Sequence, residues 1–465
     1  MFLPNTSTLY GRGKKIGTLL LFCLLFGLFL YYQVLNTFSY NPYWGYDGGG
    51  HIDYIFSLAK DHHFPTIEKN YIAWHEPLYY LVDASVLKLI LVFVTDYVLQ
   101  LKLLVLLQTV WSALVLFLLY RISRNLLPIA LSIITTALFF SLPSFHAASL
   151  FLTNELFAYL FAFLLSAVFI QRLRRGNFLP WDGLLFGTII GLSLISKITT
   201  IVPVGVCLAI CLMLWMKRFS GLNLRFFVLT GLTVILINLP WQIHRYNHIA
   251  QGPSLNNPSF LTPKPLTIPE LLGNLSTFDT RVFSLPYFPM GSGNMWPMLY
   301  SDLVSDYYGI LDNVDKRNAT PKTELFQTAD FSWVGPRHAW YMKKLIWLGI
   351  PLVGLMLAGL VEMIWQSLSK KRGMYRWIAL YGLLLSTGYL AAQIFYMYRY
   401  PYFDMGAVKA IFILPGFFFP VLYGIEFFYR LACKNVLGKI LLVIALIPLM
   451  AYITVSSVAF YLALI

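Results

Sequence analysis

Between Tyr46 and Tyr80 the chain reads YDGGGHIDYIFSLAKDHHFPTIEKNYIAWHEPLYY and holds Asp47, His51, Asp53, Asp61, His62, His63, Glu68, His75 and Glu76. Carboxylates and imidazoles at this density can move protons or hold a metal ion. Asp47 is a candidate general base. Gly48, Gly49 and Gly50 follow it, and a backbone without side chains leaves room for a bulky substrate, although Asp-Gly is also a common turn pair. His75 and Glu76 could ligate a divalent metal with Asp47 or His51, but neither HxxxH nor HExxH spacing is read with them. A polar loop with Pro77 at a helix start accounts for the same residues.

Further along, Asn154 and Glu155 stand at the mouth of an apolar run, where a carboxylate suits the start of a helix. An ionisable group at membrane depth is also a functional candidate in its own right. Four cations fall at the corresponding ends of other apolar runs: Lys197, Arg245, Arg399 and Lys409. Each can snorkel to the interface. Gathered together, they suit a bound phosphate or carboxylate. The candidate catalytic residues are therefore Asp47 and Glu155. The candidate substrate-binding residues are His51, His75, Glu76, Tyr79, Asn154, Lys197, Arg245, Arg399 and Lys409. Asp47, His75 and Glu76 are the open metal alternative, and a divalent metal is the one cofactor left open by the residues.

The elements that must position these groups are membrane helices. Of 465 residues, 58% are hydrophobic and 12% charged, against about 25% charged in a soluble domain. Hydropathy gives about eleven runs near the ~20 residues that a bilayer demands. They lie near 16–35, 98–120, 126–144, 153–171, 181–198, 200–216, 225–242, 344–366, 375–395, 407–428 and 437–463. The segment from Pro77 to Val94 is interrupted by Asp83 and Lys88 and reads as an interfacial helix. The first run has the length of an uncleaved helix rather than a signal peptide.

The net charge of +14 reads as positive-inside bias and attraction to anionic lipid, not as a nucleic-acid surface. With the N-terminus in the cytoplasm, one side receives Arg121 and Arg124; Arg172, Arg174 and Arg175; Lys217 and Arg218; Lys370, Lys371 and Arg372; and Arg430, Lys434 and Lys439. The other side receives the outer loop at about 36–97, the short turns, and a large outer loop at about 243–343, which is expected to form a cap of short helices. Four cysteines without a CxxC pair indicate neither a disulfide framework nor a zinc ribbon. The expectation is one all-α polytopic domain over 1–465. It would lie in a plasma membrane, a bacterial inner membrane by default, with its site on the outer face.

YDGGGHIDYIFSLAK followed by WHEPLYYLV resembles the first outer loop of the integral-membrane glycosyltransferases of the GT-C fold that use lipid-linked sugars. The similar branch is the family 39/83-like one, with the protein O-mannosyltransferases and the lipid A aminoarabinose transferases. The further elements LTNELFAYL, LISKITTIVP, LPWQIHRY and AVKAIFILPGFF follow in the order that the family shows. The chain departs from the pattern in having Asp47-Gly48 where many members have Asp-Glu, Glu76 at the first place of the "PP" pair, and Ile411-Phe412 for a late "RY". The resemblance implies transfer of a sugar from a polyprenyl-phosphate donor to a lipid, glycan or protein acceptor. In that reading Asp47 is the base, Glu155 is a second carboxylate, and Lys197, Arg245, Arg399 and Lys409 are phosphate partners. The implied partners are the polyprenyl-phosphate donor, the acceptor and membrane lipids. The rival readings are a transporter or flippase for a lipid-linked or anionic solute, which predicts charges inside the spans and broken helices, and a non-catalytic relative.

Overall fold

The computed structural model describes residues 9–43, 45, 47–179, 181–248, 264–284, 295–306, 336–369, 373–400 and 408–461. Among them all regular structure is helical. Seven helices are long and apolar enough to cross a membrane, or up to eight if one bent pair is a single span. The chain is a polytopic helical membrane protein.

Each of the eleven apolar runs coincides with a helix, though four of them differ from a simple span. The first lies within α1 (Leu9–Ser39). Its C-terminal part buries Gln33, Asn36 and Thr37, and Gln33 Nε2 donates to Ser149 O at 2.7 Å. The run at 126–144 is broken into α5 (Ile129–Phe140) and α6 (Pro143–Leu150), bent by 69°. Pro143 causes the break. It lacks an N–H to donate and holds Leu142 extended, at φ −70° and ψ 130°. The run at 181–198 yields only the 13 residues of α8 (Asp182–Leu194), and the chain then opens into the extended Lys197. The run at 407–428 starts its α-helix late, at α15 (Leu414–Ala432), after a short 3-10 turn at Ala410–Phe412.

The full-length spans are α4 (Tyr97–Ser123), α7 (Glu155–Arg175), α9 (Ile201–Met216, with a preceding 3-10 turn), α10 (Leu224–His248), α13 (Pro336–Leu368), α14 (Tyr375–Arg399) and α16 (Val436–Tyr461). The expected interfacial helix is α3 (Leu78–Phe93). α2 (Gly48–Phe56), α11 (Ile268–Ser276) and α12 (Met295–Val304) complete the set. The up-and-down order brings the starts of α7, α9 and α15 and the ends of α8 and α10 to one face. The ends that carry Arg121, Arg172 and Arg430 lie at the other.

Close packing depends on small residues where helices have no water to exclude. α8 presents Gly183, Gly187 and Gly191 to α10. A Cβ at these positions would stand 2.5 Å from Phe226 O, 2.6 Å from Thr233 Cβ and 2.9 Å from Ile237 Cδ1. The backbone contact is sealed by Thr230 Oγ1 donating to Gly183 O at 3.1 Å and Asn238 Nδ2 donating to Gly191 O at 3.2 Å.

The 46–80 stretch is not simply a polar loop. His51, Ile52, Tyr54, Ile55, Ile72, Tyr79 and Tyr80 are buried in a small core with Leu101 and Leu104 of α4, while Asp53, Asp61, His62, His63 and Glu68 remain exposed. Nor are the acids confined to one face. Glu362 of α13 and Glu426 of α15 are buried near the opposite face, where Arg430 pairs with both and Gln366 Nε2 donates to both, at 2.8 and 2.7 Å. A buried carboxylate persists only when paired and hydrogen-bonded in this way.

Candidate active site

Three stretches meet at one site: the segment from Asp47 to Tyr80, the start of α7 with the end of α8, and the segment 408–412, extended at Lys409 and turning 3-10 at Ala410–Phe412. Asp47 precedes α2 with a left-handed backbone, φ 55° and ψ 23°, which an Asp tolerates better than most residues. Tyr71 Oη donates to its Oδ1 at 2.9 Å. Burial, followed by the charge of Asp47, pushes the Tyr71 phenol up, so it remains a donor to the carboxylate at neutral pH. The glycines do not open space in the way the sequence suggested. A Cβ on Gly48 would meet Tyr43 O at 2.8 Å, and one on Gly50 would meet Ile72 and Tyr71 side chains at 3.2 and 3.3 Å. Only Gly49 of the three has nothing within 4 Å. Asn70 Nδ2 donates to Gly50 O at 2.8 Å and ties the two ends of this stretch together.

Behind Asp47, Tyr80 Oη lies between two imidazoles, 2.8 Å from His51 Nδ1 and 3.0 Å from His75 Nδ1. A single hydroxyl can donate to one Nδ1 and accept from the other, which fixes opposite tautomers on neutral rings. Burial holds His75 well below the usual imidazole range, reinforced by His51 and Lys197 and opposed by Asp47. It is therefore neutral. Tyr80 also stacks on Tyr54 at 3.9 Å, and Tyr79 accepts from Gln108 Nε2 at 3.0 Å. Tyr79 is thus a buried support for the pocket rather than an open contact.

Glu76 is buried beside the α8–α9 break. Burial pushes its carboxyl up, against backbone N–H bonds from Glu76 and Ile198 and the charges of Arg245 and Lys197. Its bond to Ile198 places it at the start of the 3-10 turn 198–200, while Leu78 N–H donates to Ile195 O at 2.9 Å. These contacts lock the HEPLYY stretch onto the end of α8.

Asn154 occupies the N-cap of α7 yet makes no side-chain cap bond. Its Oδ1 instead accepts from Lys197 Nζ at 2.8 Å, and Glu155 Oε1 forms an ion pair with the same ammonium. Asn154 Nδ2 and Glu155 Oε2 are buried with no hydrogen-bond partner among the described residues. From the far side, Lys409 comes in on extended backbone. The Nζ atoms of Lys197 and Lys409 each lie 5.5 Å from the centroid of the Phe412 ring. Lys409 is within electrostatic range of Asp47, Asp302, Glu155 and Lys197. Arg245 is buried in the last turn of α10, within range of His75 and Glu76.

Asp47, His51, His75, Glu76, Asn154, Glu155, Lys197, Arg245 and Lys409 therefore share one neighbourhood. Arg399 does not join it in any described ion pair; its guanidinium lies 5.5 Å from the Tyr400 ring. The metal alternative is not assembled: among the described residues no three His, Cys, Asp or Glu side chains are placed to share an ion. His75 Nδ1 is engaged by Tyr80 and the Glu76 carboxyl by the Ile198 N–H. His244 and His248 stand four apart on α10, a ligand spacing passed over in the sequence, with ring centroids 4.9 Å apart. No third ligand joins them among the described residues.

Sequence reasoning missed Tyr71, Tyr80, Phe412 and Asp302. Asp302 of α12 is buried, and its Oδ2 accepts the Ala410 N–H at 2.6 Å. Tyr71 and Tyr80 lie inside the quoted stretch, but neither their type nor their spacing singles them out. Asp302 lay in the segment expected to be a cap.

The pocket combines a carboxylate with access to solvent and three cations drawn from separate elements. It can accept a proton on one side and stabilise an anion on the other. Among solved structures, the chain matches ArnT from Cupriavidus metallidurans bound to undecaprenyl phosphate. The identity is 15% and the TM-score 0.39, over 90% of this chain and 78% of that one. No family model matches, and no curated protein does.

Proposed function

We propose that the protein transfers a sugar from a polyprenyl-phosphate donor to a hydroxyl or amine acceptor at the non-cytoplasmic face of a membrane. The observation that carries this reading is the pair of ammonium groups, Lys197 and Lys409, brought to one aromatic ring within range of Asp47. Two lysines from distant segments repel one another; Glu155 pairs with Lys197 and offsets part of that charge, and a further anion between the two ammonium groups would offset the rest. A phosphate ester supplies that anion and is itself a leaving group. The ordered motifs of the glycosyltransferase resemblance point the same way.

In this reading Asp47 takes the proton from the acceptor, and the acceptor oxygen or nitrogen attacks the anomeric carbon. The bond from that carbon to the phosphate oxygen breaks with inversion. Lys197, Lys409 and Arg245 hold the departing phosphate, a form of stabilisation that is strongest in a site shielded from water. Asn154 and Glu155 offer a donor and an acceptor to the sugar hydroxyls, and His51 and His75 are linked through Tyr80 beside them. The apolar lipid lies along the spans, where its chain needs no water.

The test is transfer of radiolabelled sugar from polyprenyl phosphate by the full-length protein in detergent, with and without chelator. Asp47→Asn is expected to lower the rate ~10²–10⁴-fold, the range for a positioned general base, with melting temperature unchanged. Transfer at the wild-type rate by this variant removes Asp47 from the role. Wild-type activity that is lost with chelator restores the metal alternative.

A further inference from the structure

The large outer segment supplies more than a cover. Its helix α12 enters between α6 and the 408–412 segment and buries Asp302 there. Ser144 Oγ of α6 donates to Asp302 O at 2.7 Å and holds α12 in place. On the next residue of the extended segment, Tyr159 Oη of α7 donates to Ile411 O. The backbone that carries Lys409 is therefore held at Ala410 N–H by α12 and at Ile411 C=O by α7. Lys409 itself is extended, at φ −133° and ψ 126°, and its carbonyl accepts the Phe412 N–H at 3.2 Å across the short 3-10 turn.

We propose that Asp302 is the positioning residue for Lys409: by accepting the Ala410 N–H it fixes the segment that brings the ammonium to Phe412 and Lys197. The role of that ammonium as a phosphate partner rests on the function proposed above, whereas the fixing of the segment does not. A carboxylate accepting a backbone N–H forms a charge-assisted bond, stronger than one between neutral groups. The bond spans 108 residues of sequence. Asp302 is also within electrostatic range of Lys409, so a variant must separate the hydrogen bond from the charge.

The experiment is amine acetylation of the full-length protein in detergent without substrate, read by mass spectrometry at Lys409 and Lys197. Asp302→Ala removes the acceptor, and Asp302→Asn keeps it without the charge. Acetylation of Lys409 is expected to rise about tenfold in the alanine variant, the size of one coupled contact. Lys197 should be unchanged, and the asparagine variant should stay close to wild type. Unchanged Lys409 in Asp302→Ala overturns the proposal, as does an asparagine variant that behaves like alanine.

Should Asp302→Ala fail to fold, Tyr159→Phe releases the other restraint on the same segment and is expected to expose Lys409 in the same selective way. Equal exposure of Lys197 overturns the proposal. A second arm measures binding of polyprenyl phosphate. Lys409→Ala and Asp302→Ala should each weaken it, and the double variant should be no weaker than the worse of the two, whereas independent residues would give the product of their effects. Selective acetylation without any phosphate binding leaves the positioning role intact and defeats only the transferase reading.

Discussion

At the scale of single residues, burial decides which groups carry charge. Asp302 is pushed up to about 7 by burial, with Asp306 adding to the effect and the Ala410 N–H and Lys409 opposing it. A carboxyl raised above its unfolded value contributes stability that is full below about pH 4 and is lost as pH climbs through about 7. The wild-type melting temperature in detergent should therefore fall over that window relative to Asp302→Asn, which has no proton to lose. Parallel curves for the two proteins would show that Asp302 ionises as freely in the fold as in the unfolded chain. His75 behaves in the opposite sense: its depressed value keeps the ring neutral. His75→Gln is accordingly expected to lower the transfer rate without shifting the pH profile, and a displaced acidic limb would contradict this.

At the scale of elements, the site depends on how closely α8 seats on α10, because one ends near Lys197 and the other carries Arg245. A Cβ on Gly187 meets Thr233 Cβ at 2.6 Å and Thr230 O at 2.8 Å, and the latter is backbone that cannot swing aside. Gly187→Leu should destabilise the protein by about 1–3 kcal/mol, the usual cost of overpacking. It should also weaken polyprenyl-phosphate binding by parting the two cations. Gly205→Leu on α9, where a Cβ meets nothing within 4 Å, is the matched control and should change neither. The break at Lys197 follows a similar logic. An uninterrupted helix from α8 would keep Lys197 on a helical surface, whereas the extended residue reaches Asn154 and Glu155.

At the scale of the whole molecule, the alternating direction of the helices places the pocket and the main basic clusters at opposite ends. With the basic ends in the cytoplasm, exposed Cys433 at the end of α15 should resist a membrane-impermeant maleimide applied from outside. An Asp61→Cys variant, at an exposed position of the outer loop, should be labelled. The reverse pattern would invert the topology and put the pocket on the cytoplasmic side. The Glu362–Glu426–Arg430 cluster lies at the basic end. It is a compensated network of side chains between two packed spans, not a row of charges at the midplane.

The sequence alone determined the class of the molecule, the order of its apolar helices, and the common end of the helices at which Asp47, Glu155, Lys197, Arg245 and Lys409 gather. Hydropathy and basic-residue bias are local sums along the chain, and a bilayer reads them one segment at a time. The tertiary structure alone decided the pairings. Tyr80 joins two histidines 29 and 5 residues away, Asp302 reaches Ala410 across 108, and Arg399 is not drawn into any described ion pair of the pocket although its position in the chain matches that of its neighbours. Such contacts depend on helix rotation, on breaks such as those at Pro143 and Lys197, and on which small residues let backbones approach. No run of hydrophobic residues encodes those quantities.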